Sequence, residues 1–280
     1  MVRHWNELMG YIIQPRRNIP IIVVLLGSGD NGKTKMIETV TRLLGSQLVY
    51  ARRVEDLDKS RFAMGSLLGK RLFVDDDVKA GARLPDDILK TISEEKEVTG
   101  ELKYHPDFNF VVRTVPVLLC NNIPSPGDLS HGMQRRLMVI PFDRRFTDEE
   151  DRDPTLFKRI WANELPGVLN QALAGYKRLV ERKFQFKQPS PVKAATKRWL
   201  QQANPLPGFI ETNCIKKADG RCLMQDFYVA YTNWTQAMGY TMAQTQQTVT
   251  RNLTHLNFTT KKTNQGLAVL GLVLADRSND

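Results

Sequence analysis

Cysteine is scarce in this sequence. Cys120, Cys214 and Cys222 are the only three, and no two of them form a C-x-x-C pair. That spacing excludes a zinc ribbon or a disulfide framework and fits a reducing, cytoplasmic setting. Long apolar runs are missing too. None approaches the ~18–20 residues of a membrane span, and the opening MVRHWNELMG lacks the apolar stretch of a signal peptide. Acid is short in one half only. Residues 151–280 carry 18 Lys+Arg against 9 Asp+Glu, whereas residues 1–150 carry 22 against 21. Almost all of the net +10 therefore belongs to the second half. Such a surface is either simply solvated or meets a polyanion, because neutralising phosphates releases condensed counterions.

What is present suffices for one large core and a smaller second one, with 41% of the residues hydrophobic. Residues 20–26 (PIIVVLL) read as a short, β-branched, buried strand. Lys33–Leu44 reads as a helix, with Met36, Ile37, Val40, Leu43 and Leu44 apolar and Gly45 as its stop. A second buried strand is expected over Arg71–Val74 and a helix near Pro85, with Ile88, Leu89 and Ile92 on one face. Alternation over Glu97–Val112 suggests a hairpin, and strands are expected at Thr114–Cys120 and Leu137–Phe142. Strands alternating with helices predict an α/β fold with a mostly parallel sheet. From Asp151 the pattern turns helical: a lid over Leu156–Val180, with Trp161, Leu165, Leu169, Leu173 and Val180 as its core, then a basic, proline-bearing linker over 181–204. The tail from Pro205 reads as two helices, QDFYVAYTNWTQAMG and the very polar TMAQTQQTVTRNLTHLN, followed by two strands about an Asn-Gln-Gly turn. Helices before a β-hairpin describe a winged helix-turn-helix.

The most specific motif opens between the first strand and the first helix. Gly27, Ser28, Gly29, Asp30, Asn31, Gly32, Lys33 and Thr34 match G-x-x-x-x-G-K-[ST], with Lys35 directly behind. Glycines let backbone N–H groups turn inward around phosphates, and the helix presents its N-terminal dipole to the same anion. In such loops the lysine, here Lys33, reaches the β- and γ-phosphates and the hydroxyl, here Thr34, reaches Mg²⁺. ATP and Mg²⁺ are the cofactors expected. The motif alone does not separate kinases, GTPases and motor ATPases. Three further stations narrow it. KRLFVDDDV runs a strand into Asp75, Asp76 and Asp77, residue types that hold Mg²⁺ and polarise water, although three acids also suit a solvated turn. TVPVLLCNN ends a strand in Asn121, which can orient water against a γ-phosphate or merely close a turn. GMQRRLMVIPF offers Arg135 and Arg136, an arginine finger for a neighbouring subunit or a surface charge pair.

The ordered array GSGDNGKT, GKRLFVDDDV, LPDDILKTISEEKEVTGELKY, VPVLLCNNIPSPGD and RRLMVIPFDRRF resembles the superfamily 3 DNA helicases, above all the helicase part of phage, plasmid and poxvirus-type primase–helicases. The resemblance spans about Met9 to Val180, with weaker support through the tail. It implies an AAA+ ATPase core over 19–148, a helical lid over 149–180, a linker over 181–204, a winged-helix domain over 205–280, and an N-terminal segment over 1–18 that is the remnant of a collar helix. It implies a homo-hexameric ring on single-stranded and forked DNA, with ATP between subunits, in the cytoplasm of a host cell. It implies a cradle over residues 27–35 and Mg²⁺ contacts from Thr34 and the acidic cluster Asp75, Asp76 and Asp77. That cluster also supplies the general base, with its individual roles left open and Asp76 favoured for the metal and Asp77 for the base. It further implies a sensor at Asn121, three residues before Pro124, and a finger at Arg136, six residues before Phe142, with Arg135 in reserve. The hairpin would present Lys103, Tyr104 and His105 to DNA, a composition that also suits stacking and phosphate contact on general grounds. In the tail Gln244, Gln246, Gln247, Thr250, Arg251 and Asn252 are types that read base edges or phosphates, with Lys261 and Lys262 in the wing. A protein-docking winged helix is the alternative there.

The chain departs from the family pattern in two places: Glu94-Glu95-Lys96 stands where a Gly-Gly-Asp-like stretch is common, and three acids replace a pair. An upstream primase and collar do not fit within 18 residues, so the chain reads as a fragment, the product of a split gene or a minimal helicase, with a possible separate primase. Besides a replicative helicase of a phage, virus or mobile element, the sequence suits an AAA+ DNA-binding initiator or switch without processive unwinding, or a non-enzymatic DNA-binding regulator with a vestigial loop. A small-molecule kinase is disfavoured, because nothing resembles a substrate pocket.

Overall fold

A computed structural model describes residues 1–79, 82–122, 125–126, 131–147, 152–240 and 244–275. Contacts divide the chain into Met1–Trp199 and Leu200–Asp280. Among the described residues no helix is long and apolar enough to cross a membrane.

The first unit opens with α1 (Val2–Ile13), then β1 (Ile22–Leu26), α2 (Lys33–Leu44), β2 (Val49–Ala51), a single turn α3 (Asp56–Lys59) and β3 (Leu72–Val78). Next come β4 (Arg83–Leu84), α4 (Asp86–Ser93), the hairpin strands β5 (Lys96–Gly100) and β6 (Phe108–Val112), β7 (Val115–Cys120), β8 (Ser125–Pro126), α5 (His131–Arg136) and β9 (Leu137–Pro141). The unit closes with α6 (Leu156–Arg159), a π-helical turn at Ile160–Glu164, α7 (Leu165–Glu181) and α8 (Ser190–Ala203), which runs on past Trp199.

Five strands make the central sheet in the order β2-β3-β7-β1-β9, every pair parallel. Val23 on β1 sits beside Val117 on β7 and Met138 on β9. All strands of a parallel sheet point one way, so the ends of β1, β3, β7 and β9 open onto one edge. A central strand covered on both faces must be apolar throughout, and Ile22–Leu25 are fully buried. The mostly parallel α/β sheet expected from the alternating pattern is therefore the one found.

Several details differ from expectation. β3 does not stop at Val74 but carries Asp75–Asp77 through to Val78, with a register break against β7 between Asp75 and Val78. β2 is a three-residue edge strand, too short to announce itself. In α7 the buried residues are Ala172, Gly175 and Leu179, whereas Leu173 and Val180, expected in the lid core, are exposed. The reason is α1: its Leu8, Met9, Tyr11 and Ile12 are buried in the cluster that holds Ala172 and Leu179, so the packed face of α7 is the one turned to α1. Trp161 ties the preceding turn to α2, donating from Nε1 to Thr39 Oγ1 at 2.9 Å beneath the Arg42 guanidinium at 4.1 Å. The stretch read as a linker contains α8, which buries Val192, Ala195 and Trp199, and Thr196 Oγ1 accepts the Val139 N–H of edge strand β9 at 3.0 Å.

The end of α1 is closed by a buried cation. Arg17 is 5% exposed and donates to the carbonyls of Tyr11, Ile12, Gln14, Arg16 and Arg71. It thereby satisfies the orphan acceptors of the last helical turn, and burial pulls its guanidinium down to about 10. Glu95 serves the same corner from the hairpin side. It accepts the Arg17 N–H at 2.9 Å, Arg16 Nη1 at 2.8 Å and Arg113 Nε at 2.9 Å. The Arg17 N–H first, then the two guanidiniums, hold its carboxyl near 2.

The second unit contains α9 (Leu206–Asn213), β10 (Cys214–Leu223), α10 (Met224–Ala237), α11 (Gln246–His255), β11 (Thr260–Thr263) and β12 (Gly266–Leu274). The strands form an antiparallel sheet in the order β10-β12-β11. Phe209 is the hub of its core, edge-on to Phe227 and Tyr231 with centroids at 5.2 and 5.5 Å. The β11–β12 turn falls at Asn264-Gln265, as expected, but α9 and β10 have no counterpart in the sequence reading. The start of the polar helix, residues 241–243, lies outside the described residues.

Because Glu95 ionises below the ordinary carboxylate value of 4.5, its contribution to stability is present above that pH and lost as pH falls through about 2. Glu95→Gln is expected to cost about 2 kcal/mol near neutral pH. In urea unfolding at a series of pH values, the gap to wild type should close on acidification. A gap that stays constant into acid contradicts the assignment.

Candidate functional site

Four chain segments meet at the carboxyl edge of the central sheet, where parallel α/β folds place their ligand crevices. The glycine-rich loop leaves β1 there. Asn121 follows β7, Asp75–Asp77 lie at the end of β3, and residues 142–146 follow β9. The loop is held from two sides: Phe142 N–H donates to Leu26 O at 2.7 Å and Phe146 N–H to Asp30 O at 2.8 Å. Asn31, 6% exposed, donates from Nδ2 to Phe142 O at 3.2 Å. Gly32 has φ +83, a left-handed conformation that glycine adopts without strain, and it forms the N-cap of α2. Gly27 is needed for a different reason: a Cβ there would collide with Asn31 Nδ2 and the Phe142 carbonyl. Ser28, Asp30, Thr34 and Lys35 are exposed around the rim, and Asp30 itself has φ +44.

Lys33 sits in the middle, 5% exposed. Its Nζ contacts the Gly27 carbonyl, Asn31 Oδ1 at 3.2 Å and Asn121 Oδ1 at 3.3 Å. Sequence reading placed Lys33 and Asn121, 88 residues apart in the chain, in one site, and the structure joins them directly. All three acceptors are neutral oxygens, and no carboxylate pairs with Lys33 among the described residues. Burial accordingly lowers its pKa. A buried cation without a counter-charge is costly unless an anion completes it. The cradle geometry and this uncompensated ammonium fit a phosphate chain. Pro124, the spacing mark after Asn121, lies outside the described residues.

The three acids separate by environment. Asp75 is 2% exposed and accepts the N–H groups of Val54 at 2.7 Å and Asp77 at 3.2 Å, with Arg53 Nη1 3.5 Å away. Burial raises its pKa. Asp76 and Asp77 are exposed, and Asp77 Oδ2 faces Arg53 Nη2 at 3.3 Å. Arg53 carried no signal in the sequence reading, since it lies outside every motif. Cys120, at the end of β7, is pushed up to about 12, by burial first and then by Asp75; it is an inert core thiol. No group of three or more His, Cys, Asp or Glu side chains suited to a metal occurs among the described residues. A Mg²⁺ held by one hydroxyl, one or two acids, waters and phosphates needs no such group.

The arginines divide likewise, and one assignment changes. Arg136 is 6% exposed; Nη1 donates to Gly132 O at 2.6 Å and Nη2 forms a tight ion pair with Glu94. In this structure the Arg136 guanidinium is engaged inward rather than presented at the surface. Arg135, the reserve candidate, is exposed on the same helix. Helical rotation of about 100° per residue sends adjacent side chains to different faces.

Away from the cradle, Lys103, Tyr104 and His105 form the exposed tip of the β5–β6 hairpin. Tyr104 is 90% exposed with φ +65, and Lys103 Nζ lies 4.9 Å from its ring centroid. Core packing of Tyr104 is thus ruled out. In the second unit Gln246, Gln247, Thr250 and Arg251 line one shallow surface with Thr254 and Leu267. Asn252 is instead buried, donating to Gln244 Oε1 at 3.0 Å, so both are engaged internally. Lys261 and Lys262 are exposed on β11 and line a groove with Arg221 and Asp226.

Comparison with known proteins follows the same lines. A family of unknown function, DUF5906, matches residues 25–136, which is the loop through the arginine pair. A protein of Acanthamoeba polyphaga mimivirus that bears the name "Putative helicase" is 31% identical over 130 residues, 44% of this chain. The chain spans 13% of that relative's length. Among solved structures, the apo C-terminal region of NrS-1 is similar in fold over 97% of this chain and 71% of that one, with a TM-score of 0.59 at 17% identity. A second apo form of the same region gives 0.54 at 15% identity.

The loop makes a stability prediction independent of any ligand. Gly27→Ala, which must displace Asn31 or Phe142, should cost about 1–3 kcal/mol. Gly32→Ala meets open space and should cost only about 1 kcal/mol of backbone strain. Thermal unfolding of the two variants checks the order; equal losses contradict the close packing at Gly27.

Proposed function

We propose that this chain is the motor part of an ATP-dependent DNA helicase of superfamily 3, serving replication of a virus, phage or mobile element as an AAA+ ring on single-stranded DNA. The observation that carries the reading is the buried Lys33 ammonium, which rests on neutral oxygens including Asn121 within a left-handed glycine loop. The similarity to a viral protein named as a helicase supports the choice of reaction. A hairpin tip of exposed Lys103, Tyr104 and His105 supports single-strand contact by phosphate pairing and stacking.

In this reading Lys33 and the loop amides would bind the β- and γ-phosphates of ATP. Thr34 with Asp76 would hold Mg²⁺, which when bound neutralises charge on the phosphate oxygens. Asp75 positions rather than binds: its two oxygens fix the backbone at Val54 and Asp77, and so aim the exposed pair. Asp77, steadied by Arg53, accepts a proton from the attacking water, and Asn121 orients that water. The finger passes to Arg135, which would reach the γ-phosphate held by an adjacent copy. The second unit acts as a winged-helix module, with α11 carrying Gln247 and Arg251, and Lys261 and Lys262 on the wing.

Purified protein is expected to hydrolyse ATP faster with single-stranded DNA and to displace a strand from a forked substrate. Hydrolysis without displacement would identify an initiator or switch instead. Lys33→Ala should abolish hydrolysis in protein that remains folded by circular dichroism. Arg135→Ala should bind nucleotide normally yet lose about a thousandfold in turnover, and mixing it with Asp77→Ala protein should restore part of the activity. If mixing restores nothing in assembled rings, sites are not shared between subunits. In the tail, Lys261→Ala with Lys262→Ala should weaken duplex binding uniformly and flatten its salt dependence by about two in slope; an unchanged slope moves the contact elsewhere.

A further inference from the structure

Glu94 and Glu95 are neighbours between α4 and hairpin strand β5, yet they hold different parts of the molecule. Glu95 takes Arg113, the residue directly after β6, together with Arg16 and the Arg17 N–H. It therefore pins the entry and exit of the hairpin to each other and to the N-terminal segment. Glu94 faces α5 instead, where its carboxylate pairs with Arg136. Arg136 is in turn locked to its own helix through Gly132 O at 2.6 Å, and its Nε is buried without a partner. The pair is consequently a charge-assisted tie between the hairpin base and the helix that displays Arg135. Each hairpin strand has five residues, so the tip stands roughly 17 Å from this base. A force at the tip acts on the base with that lever.

We infer that the Glu94–Arg136 pair is a positioning strut, which passes displacement of the Lys103–Tyr104–His105 tip to α5 and hence to Arg135. The inference rests on the proposed roles of the tip and of Arg135. Its physical content is that α5 and the hairpin move as one body while the pair is intact. The sequence departure at Glu94-Glu95-Lys96 then has a mechanical meaning, since a Gly-Gly-Asp-like stretch would offer no carboxylate at position 94.

The test uses the full chain and oligo-dT as the probe. Hydrogen exchange should show the α5 amides of residues 132–136 gaining protection when oligo-dT binds wild type, and gaining none in Glu94→Gln. The same variant should keep basal ATP hydrolysis and the KM for ATP within about twofold, while the increment due to oligo-dT falls about tenfold. The double variant Glu94→Gln with Arg136→Met removes the stranded charge; it should melt near wild type yet stay uncoupled. Recovery of stimulation in the double variant would show that Glu94→Gln acts only through instability and would overturn the strut. Equal α5 protection in Glu94→Gln and wild type would overturn it too. Wild-type protein that binds oligo-dT without stimulated hydrolysis would instead sink the proposed function, and the exchange experiment would still decide the strut.

Discussion

A lysine ammonium sealed among neutral oxygens is the constraint around which the first unit is arranged. Lys33 is nearly inaccessible, and its contacts are one carbonyl and two side-chain amide oxygens. Each contributor comes from a different place: Gly27 and Asn31 from the loop itself, Asn121 from the end of β7. They converge because β7 is the immediate parallel neighbour of β1, with Leu26 level with Cys120. On the other flank β9 pins the loop through Phe142 and Phe146. The loop is thereby shaped before any ligand arrives, which reduces the ordering that binding must overcome. The missing term is negative charge, and a bound phosphate chain is the reading that supplies it.

Charged residues that are adjacent in sequence repeatedly part company in space. Asp75 turns into the protein while Asp76 and Asp77 remain outside. Arg136 is buried against Glu94 while Arg135 is exposed. Glu94 reaches for α5 and Glu95 for the N-terminal segment. In the first two sets one member is held inside and leaves another to face outward, whereas both glutamates are engaged, with different partners. On α5 the cause is rotation around the helix axis; at Asp75–Asp77 the parting coincides with the break in register against β7. Arg17 is a buried charge with a structural duty: it donates to five carbonyls, those of Tyr11 and Ile12 in the last turn of α1 among them.

The exposed cationic features are differently built. The hairpin tip lifts Lys103, Tyr104 and His105 clear of the body, with Tyr104 in a left-handed conformation that a tight turn imposes. The second unit shows Lys261 and Lys262 on β11, an edge strand of its sheet. Lysines on an edge discourage strand addition.

The sequence by itself determined the parallel α/β core, the glycine loop, the helix after it, the hairpin and the turn at Asn264-Gln265. All of these rest on local periodicity or on residues with special backbone preferences, which act over a few positions. It could not announce β2 or β10, since a three-residue edge strand and a bulged, mostly exposed one carry little apolar signal and exist through pairing with β3 and β12. The buried face of α7 was likewise hidden, because its partner α1 lies more than 150 residues away in the chain. Only the tertiary structure decided which arginine of the 135–136 pair faces out, which of three acids is structural, and that Glu94 and Arg136 meet. Those outcomes depend on burial and on long-range charge pairing, and neither is written in the spacing of neighbouring residues.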